Sequence, residues 1–527
     1  MGPPQPVSDP DNCILAVDPR MPFDQWVHAV AQRLGAHAAP SHPHRIVWLD
    51  TFDWRLWRRG WILEWLGDRG DGRLRLREPG GCRVLFEAPV AQPPRFPAEL
   101  VQAGLRARLE DVTRPRALLP VAEAQGRLAR LAICDDEDKT VLRLELRDET
   151  ARSGQDASLQ RLAQLLPLRG YVRPLREAIH HLRREFLARS VSQDPLLLAL
   201  AARGRSPGDY SSKPRVRLQP GARTDWAMKR ILLQLLEVVE RNEPGVREDL
   251  DPEFLHDYRV AWRRTRSLLT QIKRVFPEAP LEGFREELRW ISMLTSPVRD
   301  MDVYLLELPR YRASIPEALR PGLEPLHALV LEEKRAGHRA LVQALDGRRY
   351  KDFMAGWRAF LQAPPPAYTE PVHADRPVIE VASRRIWKLF RRALREGRAI
   401  DQTSPPEALH ELRKTCKKLR YLLETFSSLY PREPLEAAIR DLKRLQDNLG
   451  EYQDLAVHRA TLEHLRQRLG ERGELTELTA RAMEALLRSL EIRARRVREA
   501  FAGRFTGFDS KPTRKRFRRL FKEGHHP

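Results

Sequence analysis

The chain has 527 residues, with 93 Lys and Arg against 72 Asp and Glu, for a formal net charge of +21. A hydrophobic content of 42% predicts a folded protein with room for two or more domains and excludes an intrinsically disordered one. The positive excess predicts a polyanionic partner: nucleic acid, inorganic polyphosphate or an anionic membrane surface.

Nothing in the sequence predicts export or membrane insertion. Residues 1–12 have no basic segment, and no apolar signal-peptide core follows them. No run of about eighteen apolar residues predicts a membrane-spanning helix. The four cysteines form no CxxC pair, so we expect reduced thiols and neither a disulfide framework nor a zinc site. We therefore expect a cytoplasmic protein.

Residues 1–190 predict an α+β domain built on an antiparallel sheet or barrel. Val141–Arg147 alternates apolar and polar side chains with period two, which is typical of a strand with one wet face. A helix is predicted at Phe23–Leu34. The predicted strands are Cys13–Val17, Arg45–Thr51, Trp61–Leu66, Arg73–Arg77, Arg83–Glu87, Gly126–Cys134 and Thr140–Leu146.

Two segments of this region resemble a known family. Val47–Asp53, followed by Leu56 and Arg58–Gly60, is similar to a motif of the CYTH family, the triphosphate tunnel metalloenzymes. Leu166–Tyr171 resembles the end of CYTH domains that are fused to a second domain. The resemblance implies a CYTH-like α+β antiparallel barrel.

The catalytic residues of that family have no counterpart here. Active members begin with Glu-x-Glu-x-Lys, whose carboxylates hold a divalent metal, whereas the first strand here is Cys13–Val17. Leu63–Trp65 stands where an arginine pair is expected. We therefore expect the fold without catalytic residues, metal or cofactor. Arg73, Arg75 and Arg77 alternate along one strand; we interpret them as the wet side of a sheet, with contact to an anion as the alternative.

The C-terminal region predicts an all-helical domain. Residues 191–222 are rich in Pro, Gly and Ser and are predicted to be a linker. A Pro-rich stretch divides the helical domain, 223–505, into halves at 223–363 and 377–505, and 506–527 forms a basic tail, either an arm for polyanions or a solvated terminus. Predicted helices are 225–241, 253–275, 281–295, 300–308, 323–345, 350–362, 377–397, 406–428, 433–449, 451–469 and 474–502, with breaks at prolines such as Pro297.

The two halves carry one repeated segment. Leu255–Leu269 aligns with Leu409–Leu423, so that His256 corresponds to His410, 154 positions later. The same offset holds without a gap through Asp300 and Asp454 to Val303 and Val457. Such an extended match indicates a true internal repeat.

Each copy places a histidine and several cations on one helix face. At about 100° per residue, His256, Arg259, Arg263 and Arg266 fall within an arc of roughly 80°. Like charges stacked in this way repel one another, which indicates a polyanionic ligand; the alternative is a solvated basic face. The candidate polyanion-binding residues are His256, Arg259, Arg263, Arg264, Arg266, Lys273, Arg274, His410, Arg413, Lys414, Lys417, Lys418 and Arg420.

These segments resemble a second family. Asp251–Arg266 and Leu409–Tyr421 are similar to the signature of the CHAD family, the conserved-histidine α-helical domain, and Arg299–Val303 and Leu445–Asp454 resemble its partner motifs. The resemblance covers roughly 220–505. It implies two pseudo-symmetric four-helix halves whose basic helices line a groove or pore and bind inorganic polyphosphate, often beside a CYTH domain and at polyphosphate granules.

The leading hypothesis is a non-enzymatic polyphosphate-binding protein that targets or organises granules, with granule-associated proteins as further partners. Asp300 and Asp454 are expected to orient basic side chains, and the two histidines to serve either as additional donors or in helix packing.

Two alternatives remain. A metal-dependent triphosphatase or polyphosphatase needs acidic ligands, for which Glu87, Glu145 and Asp148 are candidates. A nucleic-acid binder is disfavoured, because few aromatic residues (Tyr258, Trp262 and Tyr421) interleave the basic stripes.

Overall fold

A computed structural model gives the structure of the protein, described here for residues 13–67, 72–80, 83–152, 157–168, 171–191, 193–213, 215–364 and 371–523. The chain forms two compact units, Met1–Ser211 and Ser212–Pro527. No helix in these ranges is long and apolar enough to cross a membrane.

Unit 1 is built on a curled antiparallel sheet, so the predicted α+β class is confirmed. The strand order is β11-β1-β10-β8-β7-β3-β4-β5-β6, with β2 paired to β7 and β9 to β8. The strands are β1 Ile14–Val17, β2 His37–Ala38, β3 His42–Asp50, β4 Ile62–Gly67, β5 Arg73–Arg77, β6 Val84–Pro89, β7 Leu119–Cys134, β8 Thr140–Ala151, β9 Ala157–Ser158, β10 Arg161–Pro167 and β11 Arg189–Ser190.

Helices cover part of this sheet. Its helices are α1 Phe23–Leu34, α2 Arg55–Arg58, α3 Ala103–Thr113, α4 Val172–Glu185 and α5 Pro195–Ala201, with a 3₁₀ turn at Pro97–Glu99. Trp26 of α1 and Leu182 of α4 pack in one core cluster with Leu142, Leu144 and Leu146 of β8. The opposite face of β8 is also buried at Glu145 and Arg147. The prediction of one wet face along this strand is therefore wrong, because the sheet curls around that side.

Two further expectations for unit 1 need correction. Helix α5 lies inside the predicted linker 191–222, because Leu196 and Leu200 join Trp54 in a core cluster. Cys13 is disulfide-bonded and is not a reduced thiol, whereas Cys134 and Cys416 are free. Part of the CYTH-like ending, Arg169–Gly170, lies outside the described residues.

Unit 2 is all-helical, as predicted. Its helices are α6 Thr224–Arg247, α7 Pro252–Gln271, α8 Glu278–Ala313, α9 Glu324–Asp346, α10 Arg348–Gln362, α11 Val378–Arg398, α12 Pro406–Thr425, α13 Arg432–Glu471, α14 Glu477–Glu499, α15 Phe501–Phe508 and α16 Lys511–Arg518. Shorter helical segments are Glu317–Leu323, Ser427–Leu429 and Arg519–Glu523. The break predicted at Pro297 does not occur, because α8 runs through Pro297 and Pro309. Helix α13 is likewise a single helix where two were predicted.

The helices reproduce the sequence repeat. Helices α6 and α11 begin at 224 and 378, α7 and α12 at 252 and 406, and α8 and α13 at 278 and 432. Each pair of starts is 154 positions apart, the offset found in the sequence. The repeat is therefore structural, and equivalent positions of the two halves can be compared residue by residue.

The predicted basic tail is part of the fold as far as residue 523. Phe517 of α16 stacks on Phe390 of α11, with ring centroids 3.9 Å apart and an interplanar angle of 3°. Phe521 packs against Tyr430. These aromatic contacts hold the segment against α11, while Lys511, Arg514 and other cations remain exposed. The sequence did not predict the contacts, because the aromatic residues lie within a run of Lys and Arg.

Candidate anion-binding site

The two copies of the repeat meet where α7 packs against α12. The Arg264 guanidinium donates one hydrogen bond to Glu424 Oε2 at 2.9 Å and another to the Ser212 carbonyl oxygen at 2.9 Å. It also lies 5.8 Å from the centre of the Tyr421 ring. Asp251 precedes helix α7 as its N-cap, and its carboxylate accepts a hydrogen bond from the Glu253 backbone N–H. The contact brings the basic stripes of the two halves close together.

Arg263 lies at the centre of this arrangement. Its side chain is exposed, and its charge lowers the pKa values of Arg259 and Arg299 in its own half. It has the same effect on Arg413 and Lys417 of α12. Five cations from α7, α8 and α12 therefore share one electrostatic environment. We call this set of Arg259, Arg263, Arg299, Arg413 and Lys417 the central cluster.

Arg259 is held by neutral oxygens of α8. Its guanidinium donates to Thr295 Oγ1 at 2.6 Å, to Ser296 Oγ at 3.2 Å and to the Ser292 carbonyl oxygen at 3.4 Å. Burial lowers its pKa to about 10, opposed by Asp300 and reinforced by the neighbouring arginines. The hydroxyl groups fix the geometry of this cation without neutralising its charge.

The second half holds its cations differently. Arg413 donates to Asp454 Oδ1 at 2.9 Å, and His410 Nδ1 is hydrogen-bonded to Gln453 Oε1 at 2.7 Å. Burial, with Arg413 and Arg263, lowers the pKa of Lys417 to about 8, although Asp454 opposes the shift. Asp454 thus lies where an orienting carboxylate was expected. Removing Lys417 from water beside two arginines destabilises its charged form, which a bound anion would stabilise.

A small cleft lies beside the central cluster, between α7 and α8. Its volume is about 60 Å³. It is lined by Arg259, Trp262, Arg263, Arg266, Ile291, Ser292 and Thr295. This volume accommodates a water molecule or a single small group, so a chain ligand would lie across its opening and not inside it.

Several predicted site residues lie outside the central cluster. Arg264 is buried and paired with Glu424, which also accepts a hydrogen bond from Arg420 at 2.7 Å. Lys414 is paired with Glu411 at 2.7 Å. Lys273 and Arg274 are exposed and follow the end of α7, with Arg274 in a left-handed conformation, φ 58°.

The other predicted site residues are half-buried. Arg266 lies near Arg289 of α8, and burial together with that arginine lowers its pKa. His256 is half-buried on α7, and Lys418 faces α11.

Sequence reasoning missed four cations that the fold places beside the predicted ones. Arg289 and Arg299 lie on α8, and Arg299 directly precedes Asp300 in the repeated segment, which is a signal that could have identified it. Arg385 and Arg392 lie on α11. The repeat does not indicate that these two arginines belong to the site, because their equivalents in α6 are the apolar Ile231 and Val238.

The aromatic residues between the stripes are mostly inaccessible. Tyr258 is 0% exposed and Trp262 3% exposed. The Tyr258 hydroxyl donates to the Tyr350 hydroxyl at 3.0 Å, and the Trp262 ring packs against Phe353. Neither ring is available for stacking on bases, which nucleic-acid binders use.

Two of the three arginines of β5, Arg75 and Arg77, are internal ion-pair partners. The Arg75 guanidinium makes two hydrogen bonds of 2.8 Å to Glu145 and one of 2.7 Å to Glu87. Arg77 is bound to Glu64 at 3.0 Å and to Asp194 at 2.7 Å. Both arginines are at most 1% exposed. The interpretation as the wet side of a sheet is therefore wrong for Arg75 and Arg77, whereas Arg73 is exposed.

The carboxylates considered as metal ligands are engaged as well. Glu145 and Glu87 bind Arg75, and Asp148 accepts a hydrogen bond from Arg161 at 2.6 Å. Charge pairing with Arg75 outweighs burial and lowers the pKa of Glu145. In the described part of the chain, the His, Cys and acidic side chains that come within 4.8 Å of one another as a group of three are His37, Cys134 and Asp138, none of which belongs to these pairs.

Comparison with known proteins finds a family match within unit 2 and similarity to further proteins. Residues 230–463 match the family model of the CHAD domain. Two uncharacterised proteins of Mycobacterium tuberculosis, MT2285 and Rv2226, are each 27% identical over an alignment of 325 residues that covers 57% of this chain and 59% of theirs. The match therefore spans less than two thirds of these curated relatives.

Two solved structures each match a little over half of this chain. The crystal structure of the CHAD domain from the plant Ricinus communis is 25% identical, with a TM-score of 0.46, and the match covers 56% of this chain and 96% of that one. PptA from Streptomyces chartreusis is 18% identical, with a TM-score of 0.40, covering 54% and 100%. The match to the family model confirms the expected CHAD domain for residues 230–463 of this chain.

Proposed function

We propose that unit 2 binds inorganic polyphosphate across the facing helices α7 and α12. The observation that carries the proposal is the central cluster. Arg263 and Lys417 come from different copies of the repeat, share one environment, and have no carboxylate partner among the described residues. A linear polyanion would supply the missing negative charge to both copies at once.

The chemistry of the cluster suits phosphate. Arginine presents a planar fork that pairs with two phosphate oxygens, and lysine contributes a compact point charge. Each cation that pairs with the chain releases condensed counterions, so affinity should fall steeply with added salt, as for nucleic acids. Arg259, fixed by Thr295 and Ser296, would offer an oriented donor at little further loss of side-chain entropy.

We further propose that the histidines help to shape the site. His410 is held through Nδ1 by Gln453 of α13, so its other ring nitrogen would serve a ligand or water. Beside a polyanion the protonated form of an imidazole is favoured. His256 and His410 would then contribute additional donors, the role expected from the repeat.

Unit 1 is proposed to be a CYTH-like domain without triphosphatase activity. Its interior carboxylates are neutralised by the chain's own arginines, with Arg75 bound to Glu145 and Glu87. A carboxylate in a bidentate arginine pair is not free to coordinate Mg²⁺ or Mn²⁺, which need oxygen ligands. These pairs support a structural role for unit 1, and docking to granule-associated proteins is compatible with that role.

Two measurements on the full chain test the proposal against its alternatives. Labelled long-chain polyphosphate should bind tightly, and single-stranded DNA of equal charge should displace it only weakly, because buried Tyr258 and Trp262 offer bases no stacking surface. Tripolyphosphate incubated with the protein and Mg²⁺ or Mn²⁺ should release no phosphate above background. Efficient displacement by DNA would favour a nucleic-acid binder, and metal-dependent phosphate release would show an enzyme.

A further inference from the structure

The internal repeat is broken at one charged contact between its halves. In the first copy, Arg264 is buried and bound to Glu424 of α12 at 2.9 Å. The residue equivalent to Arg264 is Lys418, and the residue equivalent to Glu424 is Thr270 of α7. The pseudo-symmetric contact therefore has a cation but lacks its carboxylate.

Other cations surround Lys418 where that carboxylate is missing. Arg385 of α11 donates to the Oε1 atom of Gln271, the residue next to Thr270, at 2.6 Å. Its Nε atom is buried and has no hydrogen-bond partner among the described residues. Burial together with Arg392, Lys414 and Arg385 lowers the pKa of Lys418. Lys418 and Arg385 thus share one positively charged environment, in which Glu411 opposes the shift in the pKa of Lys418, and neither cation forms an ion pair among the described residues.

The carboxylates around this group leave an excess of positive charge. Glu396 pairs with Arg392 at 2.5 Å, and Glu411 pairs with Lys414 at 2.7 Å. Neither carboxylate binds Lys418 or Arg385. The arrangement is specific to the second half, because Ile231, the equivalent of Arg385, is buried in the core.

We propose that Lys418 and Arg385, flanked by Arg392 and Lys414, form a second phosphate subsite between α11, α12 and the end of α7. Glu424 supplies to Arg264 the negative charge that a phosphate supplies to Lys418 and Arg385. A phosphate chain that crosses the central cluster would continue onto α11 on one side only, since the other side is closed by Glu424. This inference rests on the proposed function. It states on which side of the central cluster the bound phosphate chain continues.

The substitution Thr270→Glu tests the subsite without removing a cation. It installs the carboxylate that the first copy already has, so it should pair with Lys418 and weaken binding of long-chain polyphosphate by about tenfold, the loss expected for one charge-assisted contact. Thr270→Gln is the uncharged control and should bind like wild type. Gln343→Glu adds the same charge at an exposed position of α9. It controls for the effect of one added negative charge on the overall electrostatic attraction of polyphosphate.

Two double variants, one in the subsite and one as a matched control, separate a loss of binding from a loss of folding. Arg385→Gln/Lys418→Gln should lower affinity and reduce the salt slope by about 1.4, or about 0.7 for each lost charge. The control Arg384→Gln/Lys388→Gln removes two charges from the exposed face of α11. Its changes in affinity and in salt slope should be less than half of those of Arg385→Gln/Lys418→Gln. All variants are compared by circular dichroism and thermal unfolding.

The outcomes are separable. If Thr270→Glu binds like Gln343→Glu, or the two double variants lose affinity equally, the subsite is refuted while polyphosphate binding stands. If the wild-type chain does not bind polyphosphate, the proposed function and the subsite both fail.

Discussion

Lys417 allows the strongest quantitative prediction, because its charge is unfavourable in the unbound protein. Its pKa is lowered from 10.5 to about 8 by burial and by Arg413 and Arg263. A shift of roughly 2.5 units corresponds to at most about 3 kcal/mol of lost stability. Because the side chain is only partly buried, solvent screening reduces this to about 1 kcal/mol. We therefore expect Lys417→Met to stabilise the unbound protein by about 1 kcal/mol while weakening polyphosphate binding.

The sign of the pH dependence follows from the same shift. Below about pH 8 the lysine is charged in both the folded and the unfolded chain, so the full penalty is present. Between about pH 8 and 10.5 the folded state loses its proton first, and the stability of wild type rises with pH relative to Lys417→Met. Polyphosphate favours the charged lysine, so affinity should fall as the pH rises above 8.

The assay is urea unfolding of the full chain, with hydrogen exchange of α12 amides to assign the transition. Lys443→Met, at an exposed position of α13, removes the same charge and should leave stability and affinity nearly unchanged. With saturating polyphosphate, wild type should become more stable than Lys417→Met, because it binds the ligand more tightly and is stabilised more by it. A Lys417→Met variant that is less stable without ligand, or that binds as tightly as wild type, would refute the reasoning.

Two further predictions concern buried ion pairs. Glu424→Gln leaves the buried Arg264 charge unpaired and should destabilise the chain by about 3 kcal/mol in thermal or urea unfolding; no loss of stability would contradict the assigned pairing. Glu145→Gln removes the bidentate partner of Arg75 and should destabilise unit 1 by a similar amount, about 3 kcal/mol. Because the pKa of Glu145 is lowered, its stabilisation is present above its ordinary pKa of 4.5 and lost as the pH falls below it. Acid unfolding of wild type and Glu145→Gln should therefore converge at low pH, and parallel curves would contradict this prediction.

Much of unit 2 was predictable because its signals are local or repeated. Helical periodicity located its helices, and the offset of 154 residues anticipated that the helices themselves repeat. The cluster of Arg259, Arg263, Arg413 and Lys417 follows from two equivalent stripes meeting across an interface. The break predicted at Pro297 failed because packing on both sides of α8 outweighs one lost hydrogen bond.

The remaining features depend on contacts that no local pattern reveals. Arg75 and Arg77 have the alternation of a wet strand, and only the curl of the sheet places Glu145 and Asp194 against them. Arg263 and Arg264 are adjacent in sequence, yet Glu424 neutralises the buried Arg264 while Arg263 stays exposed. Phe517 lies in a run of cations, and its partner Phe390 is more than a hundred residues away in sequence.

The most direct test of polyphosphate binding by the paired helices is a salt series of polyphosphate affinity on the full chain. Wild type is compared with Arg263→Glu/Lys417→Glu and with the control Arg339→Glu/Lys351→Glu, which makes the same charge change at exposed positions of α9 and α10. Tight, salt-steep binding that is strongly weakened in the first variant, with a slope lower by about 1.4 or more, and retained in the control would agree with the proposal. Equal loss in both variants, or none in the first, would contradict it.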